Sequence, residues 1–238
     1  MFINGFDILW DEVDDYVADI QSIRSIEQLT FSKPVTFFCG ENGSGKSTLL
    51  EALAIKNGLN PEGGTRNYNF STYDSYSNLH EHMRLWRSRK PDWMYFLRAE
   101  SFYNVATKEM EYADALHPSK EYHMKSHGQS FFSLMMDQIK SNGLYFLDEP
   151  EAALSCQNQL ALLYLIQSCV KQNCQFIIAT HSPILLGFPD AQILSFDDGK
   201  VEEVDYKSTS SYQTMKLFLD RYDYFVKDIQ ENNEGGIL

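Results

Sequence analysis

Gly40-Glu41-Asn42-Gly43-Ser44-Gly45-Lys46-Ser47 fits the pattern G-x-x-x-x-G-K-[ST] in full. Such a stretch builds a loop whose backbone N–H groups turn inward on a β-phosphate, at the positive end of the helix that follows. Lys46 would bridge the β- and γ-phosphates, and the Ser47 hydroxyl would ligate Mg2+. A second set of residues lies about a hundred positions later, where the apolar run 144–147 ends in Asp148, Glu149 and Pro150. Asp148 would hold Mg2+ through its water shell, and Glu149 would polarise the water that attacks the γ-phosphate. Asp-Glu-Pro after a strand is by itself a common turn, and the glycine-rich loop upstream is what gives it chemical meaning. The chemistry these residues could do together is transfer of a phosphoryl group from ATP to water.

The elements around them must bring loop and carboxylates together. Val35–Cys39 is a β-branched and aromatic run between Pro34 and Gly40, which predicts a buried strand. Residues 47–57 follow with leucines at helical spacing and Gly58 as the stop. Further strands are expected at 93–98, 144–147 and 176–179, a long apolar helix at 159–170, and a hairpin of 193–196 with 201–204 around Asp198-Gly199. Strands alternating with helices predict an α/β fold whose mostly parallel sheet is covered on both faces. In such a sheet ligands bind at the carboxyl ends of the strands, so Asp148 would face the phosphate loop. Residues 1–230 read as one domain, with a surface excursion over about 59–130 and a mobile tail at 231–238.

The chain has 238 residues, of which 43% are hydrophobic and 14% aromatic, enough for a substantial core and against wholesale disorder. Thirty-three acidic against 20 basic residues leave a net charge of −13, which disfavours general attraction to nucleic acid or anionic membrane. No apolar run approaches the roughly 20 residues that span a bilayer. The first twenty residues hold six acids and no Lys or Arg, unlike a signal peptide. These features predict a cytoplasmic protein with no membrane insertion. Cys39, Cys156, Cys169 and Cys174 form no C-x-x-C pair, which argues against zinc and a disulfide framework, and they read as small buried apolar side chains. His80, His82, His117 and His123 have no partner spacing and read as surface residues.

The two motifs, Gly40–Thr48 and Leu147-Asp148-Glu149-Pro150, resemble the ATP-binding cassette (ABC) class of ATPases. The resemblance implies a P-loop fold with an antiparallel β portion and a small helical signature region, and it points to three further stations. Ser126-His127-Gly128-Gln129-Ser130 resembles the signature loop L-S-G-G-Q, with a helix-compatible stretch at 131–139 after it. Ala152-Ala153-Leu154-Ser155 stands where the D-loop follows the second carboxylate. His181 matches the switch histidine that contacts the γ-phosphate. The nucleotide ligands implied are Asn42, Gly43, Ser44, Gly45, Lys46, Ser47 and Thr48, with Ser126, Gly128 and Gln129 reaching across from a second copy. The catalytic residues are Glu149 and His181, and the Mg2+ ligands Ser47, Asp148 and Glu100.

Two departures stand out. His127 replaces the first signature glycine, with Lys125 where leucine is usual. The strand 93–98 is followed by Ala99-Glu100-Ser101-Phe102 with no glutamine, so Glu100 is expected at the Q-loop position; the alternative is an ordinary solvated acid. Tyr16 and Arg24 are candidates for the adenine contact. Over most of its length the chain is similar to a group of stand-alone prokaryotic ATPases of the AAA/ABC type, through 41–54, 96–102 and 126–128.

The function expected is an ATP-dependent homodimer switch, closed head-to-tail over two nucleotides, with an effector protein as a further partner. The alternatives are an ATP-gated scaffold with little turnover, the nucleotide-binding subunit of a transporter, and a nucleic-acid-associated ATPase. Only 25 residues separate Glu100 from Ser126, little room for a transporter's coupling surface, and no heptad run suggests a coiled-coil arm. For nucleic acid there is the basic run Arg84, Arg87, Arg89 and Lys90, read as a solvated helix face.

Overall fold

The computed structural model describes residues 1–65, 76–99, 133 and 135–232. Among them are nine strands: β1 (Ile3–Ile8), β2 (Gln28–Thr30), β3 (Val35–Cys39), β4 (Met83–Arg87), β5 (Trp93–Arg98), β6 (Gly143–Asp148), β7 (Gln175–Ala179), β8 (Gln192–Ser195) and β9 (Glu202–Glu203). Helices among the described residues include α1 (Gln21–Arg24), α2 (Lys46–Lys56), α3 (Cys156–Val170), α4 (Pro183–Leu186), α5 (Ser210–Asp220) and α6 (Tyr222–Asn232), with several short 3-10 turns between elements.

The large sheet runs β5-β6-β7-β3-β8-β9. Its first five strands are parallel, and β9 closes the edge antiparallel through Leu194↔Glu203 and Ser195↔Glu202. Alternate side chains of its central strands enter two separate cores. Phe38, Phe96, Phe146 and Ile177 pack with Leu49, Leu50 and Leu53 of α2 and with the small sheet. Phe37, Tyr95, Tyr145, Leu147, Phe176 and Ile178 pack on the other face with Leu162 and Ile166 of α3 and Leu185 and Leu186 of α4. Because both faces are dry, the strands read as unbroken apolar runs with no alternation. Burying one such large side chain contributes about 1.5–3 kcal/mol.

The small antiparallel sheet, β2-β1-β4, is built from strands that the sequence pattern leaves unmarked. Two glutamine amides tie it to the large sheet. Gln175 Oε1 accepts from the backbone N–H groups of Phe2 (2.7 Å) and Ile3 (3.0 Å), and its Nε2 donates to Ile3 O at 2.8 Å. Gln192 Nε2 donates to Thr30 O at 3.1 Å, and its Oε1 accepts from Ser32 N at 3.1 Å. Both side chains are buried, so unmade bonds there would be costly.

The basic run is not a helix face. Arg84 and Arg87 lie on β4, where Arg84 pairs with the buried Asp7 at 2.7 Å and Arg87 donates to Lys56 O at 3.2 Å. The Arg89 guanidinium sits 4.6 Å over the Phe2 ring. Of the span 59–130, β4 and β5 are strands of the two sheets, while 66–75 and 100–132 lie outside the described residues. Of the tail 231–238, the first two residues end α6 and the rest lie outside the described residues.

Cys39, Cys169 and Cys174 are buried as expected, but Cys156 is exposed, because it opens α3 at its solvent end. The helices α5 and α6 carry much of the exposed apolar surface, including Leu219 and Tyr224. No helix among the described residues is long and apolar enough to cross a membrane.

Candidate functional site

The carboxyl ends of β3, β6 and β7 meet at one edge of the large sheet, with β7 between the other two. From β3 the chain enters the phosphate loop, and Gly45 takes φ +93°. A Cβ there would stand 2.8 Å from Ile23 of α1 and 2.9 Å from Ile20, so only glycine lets the loop lie on α1. Ser22 of α1 donates its hydroxyl to Ser44 O, bracing the loop from below. From the other side Asp197 accepts from Glu41 N at 3.0 Å through Oδ1 and from Ser195 Oγ at 2.9 Å through Oδ2.

Lys46, the first residue of α2, is 4% exposed and turns back into the loop. Its ammonium donates to Gly40 O at 2.9 Å and Glu41 O at 2.7 Å. Burial lowers its pKa, and the carboxylates of Glu149, Asp197 and Asp148 pull it partly back. Ser47 Oγ donates to Asp148 Oδ1 at 2.8 Å. A hydroxyl and a carboxylate oxygen beside a phosphate loop are the hard donors that suit Mg2+, a cation usually held by one or two carboxylates, waters and substrate phosphates.

Asp148 is also 3.5 Å from Arg98 Nε, and Arg98 forms an ion pair with Glu51 of α2. Burial raises the pKa of Glu51, an effect that Arg98 partly offsets. Glu51 and Arg98 lie inside the stretches 41–54 and 96–102 that carry the resemblance, yet the sequence reading gave them no role; Asp197 and Ser22 lie in no motif and were missed.

Glu149 stands just past β6 with left-handed backbone, φ 47° and ψ 51°, which an L residue adopts only under local constraint. Its N–H donates to Ala179 O at 2.9 Å, and its Oε1 lies 3.6 Å from His181 Nε2. The fold thus brings together Lys46, Ser47, Asp148, Glu149 and His181 from three loops. The exposed Asn42 and Gly43, with Ser44, line a cavity of about 840 Å³ with Asp197, Ser208 and Ser210. A smaller one of about 220 Å³ separates Gly40 and Glu41 from Thr180 and His181.

Tyr16 lies beside Thr48 and Glu51, and burial raises the pKa of its phenol. The Arg24 guanidinium lies over the Trp10 ring, 4.7 Å from its centre. Residues 150–153 form a 3-10 turn, and Ser155 caps α3 by accepting from Asn158 N. Glu100, Ser126, Gly128 and Gln129 lie outside the described residues.

Two family models match the chain: an AAA domain over residues 18–79 and an AAA ATPase domain over 127–186. The first span contains Lys46 and Ser47, the second Asp148, Glu149 and His181. An uncharacterized ABC transporter ATP-binding protein of Haemophilus influenzae is 28% identical over 182 residues, 66% of this chain and 68% of that protein. Among solved structures, the chain is similar to the SMC head domain from Thermotoga maritima, at 14% identity and TM-score 0.45 over 86% of this chain and 98% of that one. It is also similar to cbiO1 from Clostridium perfringens, part of the ABC transporter complex cbiONQ, at 18% identity and TM-score 0.45 over 95% and 99%. The phosphate loop, the strand ending in Asp148 and the parallel sheet between them, taken with the family matches on both halves of the site, are similar to those of ATPase domains of the AAA/ABC type.

Proposed function

We propose that this chain binds ATP with Mg2+ and hydrolyses it, and that two copies close head-to-tail over two nucleotides to do so. The observation that carries the reading is the Ser47–Asp148 hydrogen bond beside the inward-turned Lys46, with the Glu149–His181 pair across the same opening. Lys46 would exchange its bonds to Gly40 O and Glu41 O for oxygens of the β- and γ-phosphates, charge-assisted contacts of about twice the strength of neutral ones. The amides of Asn42 to Gly45 would hold the β-phosphate. Ser47 and Asp148 would hold Mg2+, which supplies neutralising charge at the phosphate oxygens. Glu149 would accept a proton from the attacking water and His181 would contact the γ-phosphate.

The cellular task would be set by an effector protein that senses the closed pair. Nucleic acid is a weaker partner, since Arg84, Arg87 and Arg89 are engaged by Asp7, Lys56 and Phe2. A second reading, the nucleotide-binding subunit of a transporter, is favoured by the description of the Haemophilus influenzae relative. It requires a membrane partner that co-purifies with the chain.

Glu149→Gln tests the proposal. The amide keeps the size but not the basicity, so hydrolysis should fall by about 10²–10⁴-fold while ATP stays bound. The variant should run as a dimer on size exclusion only with ATP and Mg2+, and adding Ser126→Arg should dissolve it. Wild-type turnover by Glu149→Gln would remove the mechanism.

A further inference from the structure

Glu151, in the turn after the second carboxylate, sends one oxygen into the loop that carries His181. Its Oε1 accepts from Thr180 Oγ1 at 2.7 Å, from the backbone N–H of His181 at 2.6 Å and from that of Ser182 at 3.1 Å. Three consecutive residues therefore converge on one oxygen. Thr180 is fully buried and Ser182 is 6% exposed, so little water is available to replace that acceptor. The cluster is anchored further: Ser182 Oγ donates to Gln159 Oε1 at 2.6 Å, and Gln159 Nε2 donates to Leu154 O at 3.1 Å.

Holding the loop needs no carboxylate as such, since β7 already ends in a regular strand. What the three bonds add is direction. At the point where Thr180 leaves β7, they fix the backbone on both sides of His181, and that sets where the imidazole can swing. Among the described residues, the polar group nearest the ring is Glu149 at 3.6 Å, and the side chain is about one-third exposed, so its aim depends on its backbone.

We infer that Glu151 is a positioning residue for His181: it orients the switch loop toward the terminal phosphate and couples that loop to the turn 150–155. The inference rests on the proposed contact of His181 with the γ-phosphate. In this reading Glu151 acts through the switch loop and not on the nucleotide itself. Its loss should lower turnover and leave ground-state ATP binding nearly intact, because Lys46, Ser47 and Asp148 are untouched.

The experiment is a double-mutant cycle on the full chain. Glu151→Ala should lower kcat by about 10–100-fold, the scale expected for a misplaced reacting group, with ATP affinity within about threefold of wild type. Glu151→Gln keeps an acceptor oxygen and should recover most of the rate; Glu151→Asp, one methylene short, should not. In a His181→Ala background, Glu151→Ala should add nothing. Hydrogen exchange of the His181 and Ser182 amides, measured without nucleotide, should speed up by about tenfold or more in Glu151→Ala and Glu151→Asp. A His181→Ala defect alongside an intact Glu151→Ala rate overturns the positioning role alone, as do multiplicative losses in the double variant. A wild-type rate in His181→Ala instead overturns the histidine reading, and the role of Glu151 falls with it.

Discussion

Ser47 Oγ donates to Asp148 Oδ1 at 2.8 Å, although 101 residues separate them. The contact spans the end of β7, which lies between the strands that deliver the two residues. It joins the first turn of α2 to the last residue of β6, so loop and carboxylate hold one geometry before any phosphate arrives.

Removing the cation from that geometry should be decisive. Lys46→Ala takes away the ammonium turned into the loop and should abolish ATP binding in isothermal titration with Mg2+. Unchanged affinity would contradict the phosphate-loop assignment.

If the active site is shared between two copies, defects in different halves should complement. Lys46→Ala and Ser126→Arg should each be inactive alone. An equimolar mixture should regain up to about a quarter of wild-type turnover, because half the dimers would be mixed and each would carry one intact site. A mixture as inactive as its components would rule out exchange of signature residues between protomers.

The Arg98–Glu51 pair should show as a pH-dependent stability. Arg98→Met strands Glu51 and should cost about 2–3 kcal/mol at neutral pH, below the figure for a fully buried pair because Arg98 keeps 21% of its side chain in water. Burial holds the Glu51 pKa above its ordinary value, and losing Arg98 raises it further. A carboxyl with a raised folded pKa contributes its stability below the unfolded value and loses it as pH rises through the folded one. The gap in urea midpoint between variant and wild type should therefore be small near pH 4 and widen toward pH 7.

Thiol chemistry reports the packing of α3 and the sheet. Burial pushes the Cys39 and Cys169 thiols up to about 11 and raises Cys174 as well, whereas Cys156 is exposed. Iodoacetamide at pH 8 should add one label to the native chain, on Cys156, and four after denaturation, read by intact mass. Rapid labelling of Cys39 in the native state would mean that β3 is not the central strand it is here.

The nucleotide half of the protein was legible without coordinates because its signals are local. Three glycines, a lysine and a hydroxyl stand next to one another between a strand and a helix. The strands β3, β5, β6 and β7 advertise burial on both faces as short apolar runs. The small sheet was not legible: β1 is interrupted by Gly5 and Asp7, β2 has three residues, and β4 sets Arg84 and Arg87 three residues apart with no alternation, which is why it read as a helix face. The supporting charges were hidden for a different reason. Arg98 meets Glu51 and Asp148, Asp197 meets Glu41, and Glu151 meets His181 only because the order β5-β6-β7-β3-β8 lays distant strand ends side by side. A motif records which groups a loop can offer to a phosphate; which side chains hold those groups in place is decided by strand neighbours that no run of adjacent residues encodes.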